Sequence, residues 1–299
     1  MSVIAVVNRK GGSGKSTLAT HLAAVFANVG AAVALGDIDR QQSTRAWLRQ
    51  RKASGERTRI LGWNVDAKTF VRAPVGIDHV VMDTPGGLAG LDLARVVMYA
   101  DAILMPVSSS LFDRSSAADC LAELRAMPRV QSGRCRVAAV GMRIDLRSDG
   151  AERVKAWAAE QQLSLVATLP QSPAYPRCAE RGLTLFDVPQ AQVEEELGHW
   201  RPLLQWLRPL LQPAANTAAP ALPASLAVET GSGIGAAPVI EQPKPETISR
   251  GPRSPEPAPV AARSTASPVV ERAATLSPAP AATTARATLP LPRFLQRKP

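Results

Sequence analysis

The segment Lys10-Gly11-Gly12-Ser13-Gly14-Lys15-Ser16-Thr17 constrains this chain more than any other stretch. It follows an apolar run at 3–7 and precedes residues 18–26, whose apolar positions recur at helical spacing. Strand, glycine loop, helix is the order that turns a glycine-rich string into a phosphate cradle, with backbone N–H groups and a helix N-terminus aimed at an anion. Gly11, Gly12 and Gly14 let the backbone turn those groups inward and approach the anion closely. Lys15 is placed to reach β- and γ-phosphates, and the Ser16 hydroxyl to ligate Mg²⁺. The general pattern G-x-x-x-x-G-K-[ST] wants glycine at position 9, where Arg9 stands, and a second lysine, Lys10, opens the loop. The stretch is a nucleotide site, and all of residues 10–17 are candidate contacts.

Two later strand ends belong with it. Residues 31–39 read as a buried parallel strand that ends in Asp37 and Asp39, and ligands in open α/β sheets bind beyond the carboxyl ends of strands. One of the two acids is expected at the magnesium shell and the other toward the attacking water; acids of an ordinary polar loop are the alternative. Residues 77–83 run apolar into Asp83, the Walker B pattern, whose carboxylate holds Mg²⁺ directly or through water. The loop Thr84-Pro85-Gly86-Gly87 follows, with glycines that permit rearrangement when the γ-phosphate leaves.

Alternating strand and helix patterns make the chain α/β, a mostly parallel sheet flanked by helices. Residues 42–51 read as a surface helix with a basic face of Arg45, Arg49 and Arg51. Trp63 and Val65 mark a short strand, 71–76 a loop, 102–107 a buried strand, and 114–127 a helix stopped by Pro128. A strand at 136–141 ends in Met142-Arg143, a helix covers 151–162, and a strand at 163–169 ends at Pro170 in a loop on the base side of the nucleotide. Residues 193–211 form an amphipathic helix with Leu197, Trp200, Leu203, Leu204 and Leu207, interrupted by Pro202 and Pro209. Its polar face lacks a lysine cluster, which favours core packing over membrane contact. His79 reads as a packing or surface residue, and Ser115-Ser116 lacks the G-x-S-x-G elbow of a nucleophilic serine.

The composition divides the chain. Sixteen of its 26 prolines lie beyond Gln212, with Phe294 the one aromatic there. A stretch so rich in Pro, Ala, Ser and Thr buries too little apolar surface to offset chain entropy. Residues 213–299 are therefore expected to be a disordered basic tail, and 1–212 to hold the core. The end of that tail, 289–298, is a basic–apolar peptide on a long tether, the form in which recruitment motifs are presented. The net charge of +10 points to a polyanionic partner, most simply nucleic acid, or else to an arginine-rich composition in general. Cys120, Cys135 and Cys178 are odd in number without C-x-x-C spacing and read as buried or incidental thiols. With no leading apolar segment and no long apolar run, the expectation is a soluble, cytoplasmic protein with membrane contact disfavoured.

The form K-G-G-x-G-K-[ST] resembles the deviant Walker A of the ParA/MinD family of ATPases. The D-x-D at 37–39, the strand into Asp83, the string P-V-x-x-S-x-F-D at 106–113 and a late segment at 173–187 (basic helix, glycine, then aspartate) are similar too, so that the resemblance covers about residues 2–200. It implies a P-loop fold of the deviant Walker A type, ATP and Mg²⁺ as cofactors, and a homodimer formed on ATP binding in which Lys10 touches the partner's nucleotide. By the same resemblance Lys10, Lys15 and Asp39 are catalytic, with Asp39 activating water. Ser16, Asp39 and Asp83 make the metal set, and Asp37, Met142, Arg143 and Pro170 join the nucleotide contacts. Two positions depart from the family: Arg40 stands where proline is usual, and Met142 where relatives carry an asparagine that helps read the base.

Family members bind DNA without sequence preference through late basic residues, which nominates Arg147, Arg153, Arg177 and Arg181; a solvated basic face is the alternative. The first strand begins at residue 2, so no DNA-reading helix-turn-helix precedes it and operator binding is not implied. The implied function is a weak ATPase, stimulated by a ParB-like or cargo-adaptor protein, that positions or partitions a plasmid, chromosome region or large protein assembly on the nucleoid. A MinD-like membrane-associated regulator and a nucleotide-binding recruitment scaffold for a transfer or secretion machine are the alternatives. DNA binding separates the first from the second, and partner-stimulated turnover the first from the third.

Overall fold

The computed structural model describes residues 1–55, 60–65 and 74–211. The tail at 213–299, its terminal peptide and residues 71–73 of the expected loop lie outside the described residues. Seven parallel strands form one sheet: β1 (Ser2–Val6), β2 (Val33–Asp37), β3 (Ile60–Asn64), β4 (His79–Asp83), β5 (Ala102–Val107), β6 (Arg136–Ile144) and β7 (Leu165–Pro170). Their order is β3-β2-β4-β1-β5-β6-β7. Strands β1, β2, β4 and β5 are buried at every position, as befits a parallel sheet covered on both faces.

One face carries α1 (Lys15–Asn28), α2 (Ser43–Ala53), α7 (Ala174–Ala179) and α8 (Glu194–Leu211). The other carries α3 (Gly90–Tyr99), α4 (Leu111–Arg125), α5 (Pro128–Gln131) and α6 (Gly150–Glu160). Alternation along β1 feeds both cores. Ile4 and Val6 join Leu18, Leu22, Leu35 and Trp200, whereas Ala5 and Val7 join Met82, Leu93, Leu121 and Trp157. Cys120, Cys135 and Cys178 are free and buried, and His79 is buried against Ser2, whose hydroxyl lies 2.8 Å from its Nδ1. No helix among the described residues is long and apolar enough to cross a membrane.

Several local expectations change. Helix α3 escapes the sequence reading because exposed Leu91 and Met98 blur the inward set Leu93, Val96 and Val97. Helix α4 ends at Arg125, and Pro128 opens a new helix at its first turn instead of stopping the old one. Strand β6 runs on to Ile144 and takes Met142 into the sheet. The late basic helix shrinks to residues 174–179. Helix α8 passes through Pro202 and Pro209 unbroken: both prolines lie on the exposed side of the helix, where the carbonyls they free are open to solvent.

The largest change concerns Arg51, expected on an exposed basic face and in fact buried. Its guanidinium makes two parallel bonds to Asp187, Nη1 to Oδ2 at 2.8 Å and Nη2 to Oδ1 at 2.9 Å, and sits 5.1 Å from the Trp47 ring centre. Burial alone would raise the Asp187 pKa. Hydrogen bonds and charge from Arg51, aided by Thr184 and Asn28, more than offset that and hold the carboxyl below its ordinary range. Gly182 meets the same helix, with φ +67°, and a Cβ there would lie 2.2 Å from the Arg51 backbone nitrogen.

His21 of α1 ties this loop to the core. Its Nδ1 lies 2.8 Å from the Thr17 carbonyl oxygen, and the Leu185 N–H donates to Nε2 at 3.3 Å, a pair of contacts that requires the neutral ring with its proton on Nδ1. The ring stacks on Trp200 at 5.3 Å.

Burial of His21 lowers its pKa from 6.5 to about 4. Between those values the unfolded chain holds a proton that the folded one refuses, so the contribution of His21 to stability is complete above pH 6.5 and gone below pH 4. Its size is about 3 kcal/mol at 1.36 kcal/mol per pH unit. His79, also lowered by burial, acts in the same direction. Urea unfolding of wild type and His21→Phe across this range should show the wild-type advantage shrinking by about that amount toward pH 4; a pH-independent difference would contradict it. A second expectation concerns Gly182→Ala, which should cost about 3 kcal/mol from backbone strain plus overlap. Gly133→Ala, with φ +71° but open space around it, should cost only about 1 kcal/mol. Paired thermal melts check the contrast.

Candidate nucleotide-binding site

The site begins where β1 ends. Asn8, fully buried, donates from Nδ2 to the Pro106 carbonyl at 2.6 Å and accepts the Lys10 N–H at 3.0 Å, which pins the loop between β1 and β5. Gly12 and Gly14 then adopt φ of +71° and +97°. A Cβ on Gly14 would also meet Met142 Cε at 2.7 Å, a flexible side-chain end that can give way, so it is the positive φ that calls for glycine there. Helix α1 starts at Lys15 with no side-chain cap, and its first N–H groups face a cleft of about 970 Å³. Lys15 donates from Nζ to the Lys10 carbonyl at 3.0 Å. Burial lowers its pKa, against the opposing charges of Asp83 and Asp39.

Asp83 lies at the carboxyl end of β4, fully buried, and neither carboxylate oxygen has a hydrogen-bond partner among the described residues. Burial raises its pKa to about 7; the Ser16 hydroxyl and Lys15 oppose the rise, and Asp37 and Asp39 add to it. A buried carboxylate with both oxygens unsatisfied, near a hydroxyl and a second acid, is the donor set a hard divalent cation takes. The uncapped turn of α1 and the cradle around Gly11, Gly12 and Gly14 fit phosphate oxygens for the complementary reason.

The adjoining loop presses on this cradle. Gly87 N–H donates to the Arg9 carbonyl at 2.7 Å, and a Cβ on Gly86 would come within 3.3 Å of Gly11 Cα. Arg9 pairs with Glu123 of α4, which also accepts the Gly90 N–H at the start of α3. Asn8 and Glu123 are contributors that sequence reasoning missed. Glu123 stands 114 residues from its partner, and no local pattern announces it.

The expected residues do not all come together. Residues 11–17, Asp37, Asp39 and Arg143 line the cleft, as does Arg40 at the position where proline is usual. Asp37 is engaged by the start of α2: it accepts the Thr44 hydroxyl at 2.6 Å, the Arg45 N–H at 3.2 Å and the Asp39 N–H at 3.1 Å. Asp39 is half-buried and accepts the Gln41 N–H at 2.9 Å. Lys10 stands outside the cleft lining, its Nζ 3.8 Å from Asp113. Met142 is buried behind Gly14, and Pro170 borders a separate hollow of about 500 Å³ with Arg147. Arg147 and Arg153 pair with Asp145 and Asp149 at 3.5 and 2.8 Å. Arg177 and Arg181 are exposed and border a third hollow.

Replacing Asp83 by Asn removes the unpaired buried charge and keeps the shape. The free protein should gain on the order of 1–3 kcal/mol at pH 8. The thermal shift produced by a magnesium nucleotide should fall sharply. A variant less stable than wild type when free, with an intact magnesium-dependent shift, would contradict this assignment of the carboxylate.

Known proteins place this geometry. Residues 4–186 match the family model described as the CobQ/CobB/MinD/ParA nucleotide binding domain. Maintenance of carboxysome distribution protein A from Gloeobacter kilaueensis is 36% identical over 117 residues, 37% of this chain and 51% of that protein. The chain thus spans about half the length of this curated relative. Among solved structures, a McdA variant from Cyanothece in complex with ATP superposes with a TM-score of 0.54 at 16% identity, over 68% of this chain and 96% of the other. The cell division ATPase MinD of Pyrococcus furiosus superposes with a TM-score of 0.55 at 17% identity, over 70% and 99%. At such identities the superpositions establish the fold, a seven-stranded parallel P-loop sheet flanked by helices. With the cradle, the acids at the strand ends and a family match over more than half its length, the chain belongs to the CobQ/CobB/MinD/ParA nucleotide binding domain family.

Proposed function

We propose that this protein is a dimerising ATPase that binds DNA without sequence preference and positions a cargo in the cell. The observation that carries the reading is the buried Asp83 carboxylate beneath the glycine cradle, its oxygens without a hydrogen-bond partner within ordinary distance among the described residues, with Asp39 facing the same cleft. In this reading the N–H groups of residues 11–14 and of the first turn of α1 hold the phosphates, and Lys15 leaves the Lys10 carbonyl to neutralise them. Ser16, Asp83 and Asp39 hold Mg²⁺, which when bound supplies charge neutralisation on the transferring phosphoryl group. Asp39, with one oxygen on the Gln41 N–H, has its second available to orient and deprotonate water. Lys10, about half exposed and, among the described residues, held at its ammonium by a long contact to Asp113, is available to a second copy. Arg143 and the Pro170 loop flank the base side. Turnover is weak until a cargo adaptor stimulates it.

Positioning is supported by the curated relative's name, which favours a large protein assembly as the cargo. The DNA arm is supported by the basic balance of the chain.

Binding of a labelled non-specific duplex with ATP, ADP or no nucleotide tests the proposal. ATP should raise affinity by at least about tenfold, or 1.4 kcal/mol. Lys15→Ala should abolish that gain, and Asp39→Ala should hold the bound state without decay. Absence of DNA binding in every nucleotide state at low salt would overturn it.

A further inference from the structure

We infer that the exposed basic row of helix α2 is the surface on which this protein holds duplex DNA, an inference that rests on the DNA-binding reading above. Helix α2 carries Arg45, Arg49, Arg51 and Lys52 and no acidic residue. Arg51 is consumed by Asp187. Arg45, Arg49 and Lys52 recur at i, i+4 and i+7, on one side of the helix, beside the buried set Thr44, Trp47, Leu48 and Arg51. Arg49 and Lys52 are exposed and Arg45 half-buried, and none of the three has an ionic partner among the described residues. They extend along about 10 Å of helix axis, the rise of roughly three phosphates on one strand of B-form DNA. Arg181, exposed and also without an ionic partner among the described residues, precedes Gly182, which packs on the α2 backbone at residues 50–51.

The basic face of Arg147 and Arg153 lacks this character. Arg147 and Arg153 already carry their own carboxylates, Asp145 and Asp149, so a phosphate there must displace or tolerate a negative charge. Helix α6 adds Glu152, paired with Lys155. A charge-complementary surface for a polyanion is one with cations and no acids, and helix α2 carries no acidic residue.

The face is also rigid and addressed to the cleft. At its start, the Thr44 hydroxyl and Arg45 N–H bind Asp37, a residue that lines the nucleotide cleft. At its end, Arg51 and Gly182 clamp it to the 182–187 loop. A change in the loop at 37–42 on nucleotide binding therefore moves the cationic row as one body, the coupling expected of DNA binding that responds to nucleotide.

The test is fluorescence anisotropy of the full chain with a labelled non-specific duplex and ATP, titrated at several salt concentrations. Arg45→Gln/Arg49→Gln/Lys52→Gln should weaken binding by at least about tenfold. It should also lower the slope of log K against log salt by about 0.9 for each phosphate no longer neutralised. Arg147→Gln/Arg153→Gln should change affinity by less than about twofold. An ATP-induced thermal shift in the triple variant verifies that it folds, and Lys52→Gln alone, at an exposed helix end, reads the same slope change on a smaller scale. If wild type binds DNA and the α2 variants keep its affinity and slope, the inference is overturned while the DNA-binding reading stands. If wild type binds no DNA in any nucleotide state, that reading fails and takes the inference with it. If the α2 substitutions abolish binding to phosphatidylglycerol vesicles but leave DNA binding intact, the face is a lipid surface and the inference is wrong.

Discussion

A helix that begins inside a protein without a capping side chain leaves backbone donors unsatisfied, and α1 begins this way at Lys15. Beside it lies the inverse defect, the Asp83 carboxylate with neither oxygen hydrogen-bonded among the described residues. The two lie side by side, and Ser16 and Lys15 of the first turn both act on the Asp83 carboxyl. The buried carboxylate is a destabilising feature on its own, on the order of 1–3 kcal/mol for a buried unsatisfied group. Together they define the bound species by complement: phosphate oxygens for the helix end, a divalent cation for the carboxylate. The rest of the site keeps the two deficits in register. Asn8 locks the loop to β5, Met142 closes the space behind Gly14, and Gly86 and Gly87 rest on Gly11 and Arg9.

The face of the sheet that carries α1 and α2 behaves as a linked unit. Asp37 ends β2 and holds the first turn of α2; Arg51 ends that helix and enters a nearly inaccessible ion pair with Asp187. A buried pair of this kind is weak evidence for stability, because desolvation offsets most of the attraction, but breaking it strands a charge and costs about 3–5 kcal/mol. Its effect is geometric. The two-pronged contact fixes the rotation of α2 and the path of the 182–187 loop, whose Leu185 N–H in turn fixes the His21 ring on α1. Changes at the nucleotide cleft thereby have a mechanical route to a surface that lies beyond it.

Much of the site was readable in advance because phosphate binding is local chemistry. Glycines, lysine and hydroxyl must stand within eight residues of one another for a single turn to present them, and Asp83 shows itself as the end of an apolar run. Misreadings gather where the deciding partner is remote. Arg51 looks like a solvated helix residue until Asp187, 136 residues away, is folded against it. Met142 looks like a loop residue on the base side until β7 pairs with β6 and draws it into the sheet. Pro202 and Pro209 look like breaks until packing turns both outward.

The amino-acid sequence by itself determined the fold class, the phosphate cradle, the acid-ended strands and the family to which they belong, because each depends on spacing along the chain. Tertiary structure alone decided which charges are spent and which remain available. Arg51, Arg147 and Arg153 are matched by carboxylates, whereas half-buried Arg45 and exposed Arg49, Lys52 and Arg181 have no ionic partner among the described residues. The reason is physical: a charge acts through its surroundings at a few ångströms, and which groups come that close is set by the packing of segments far apart in the chain.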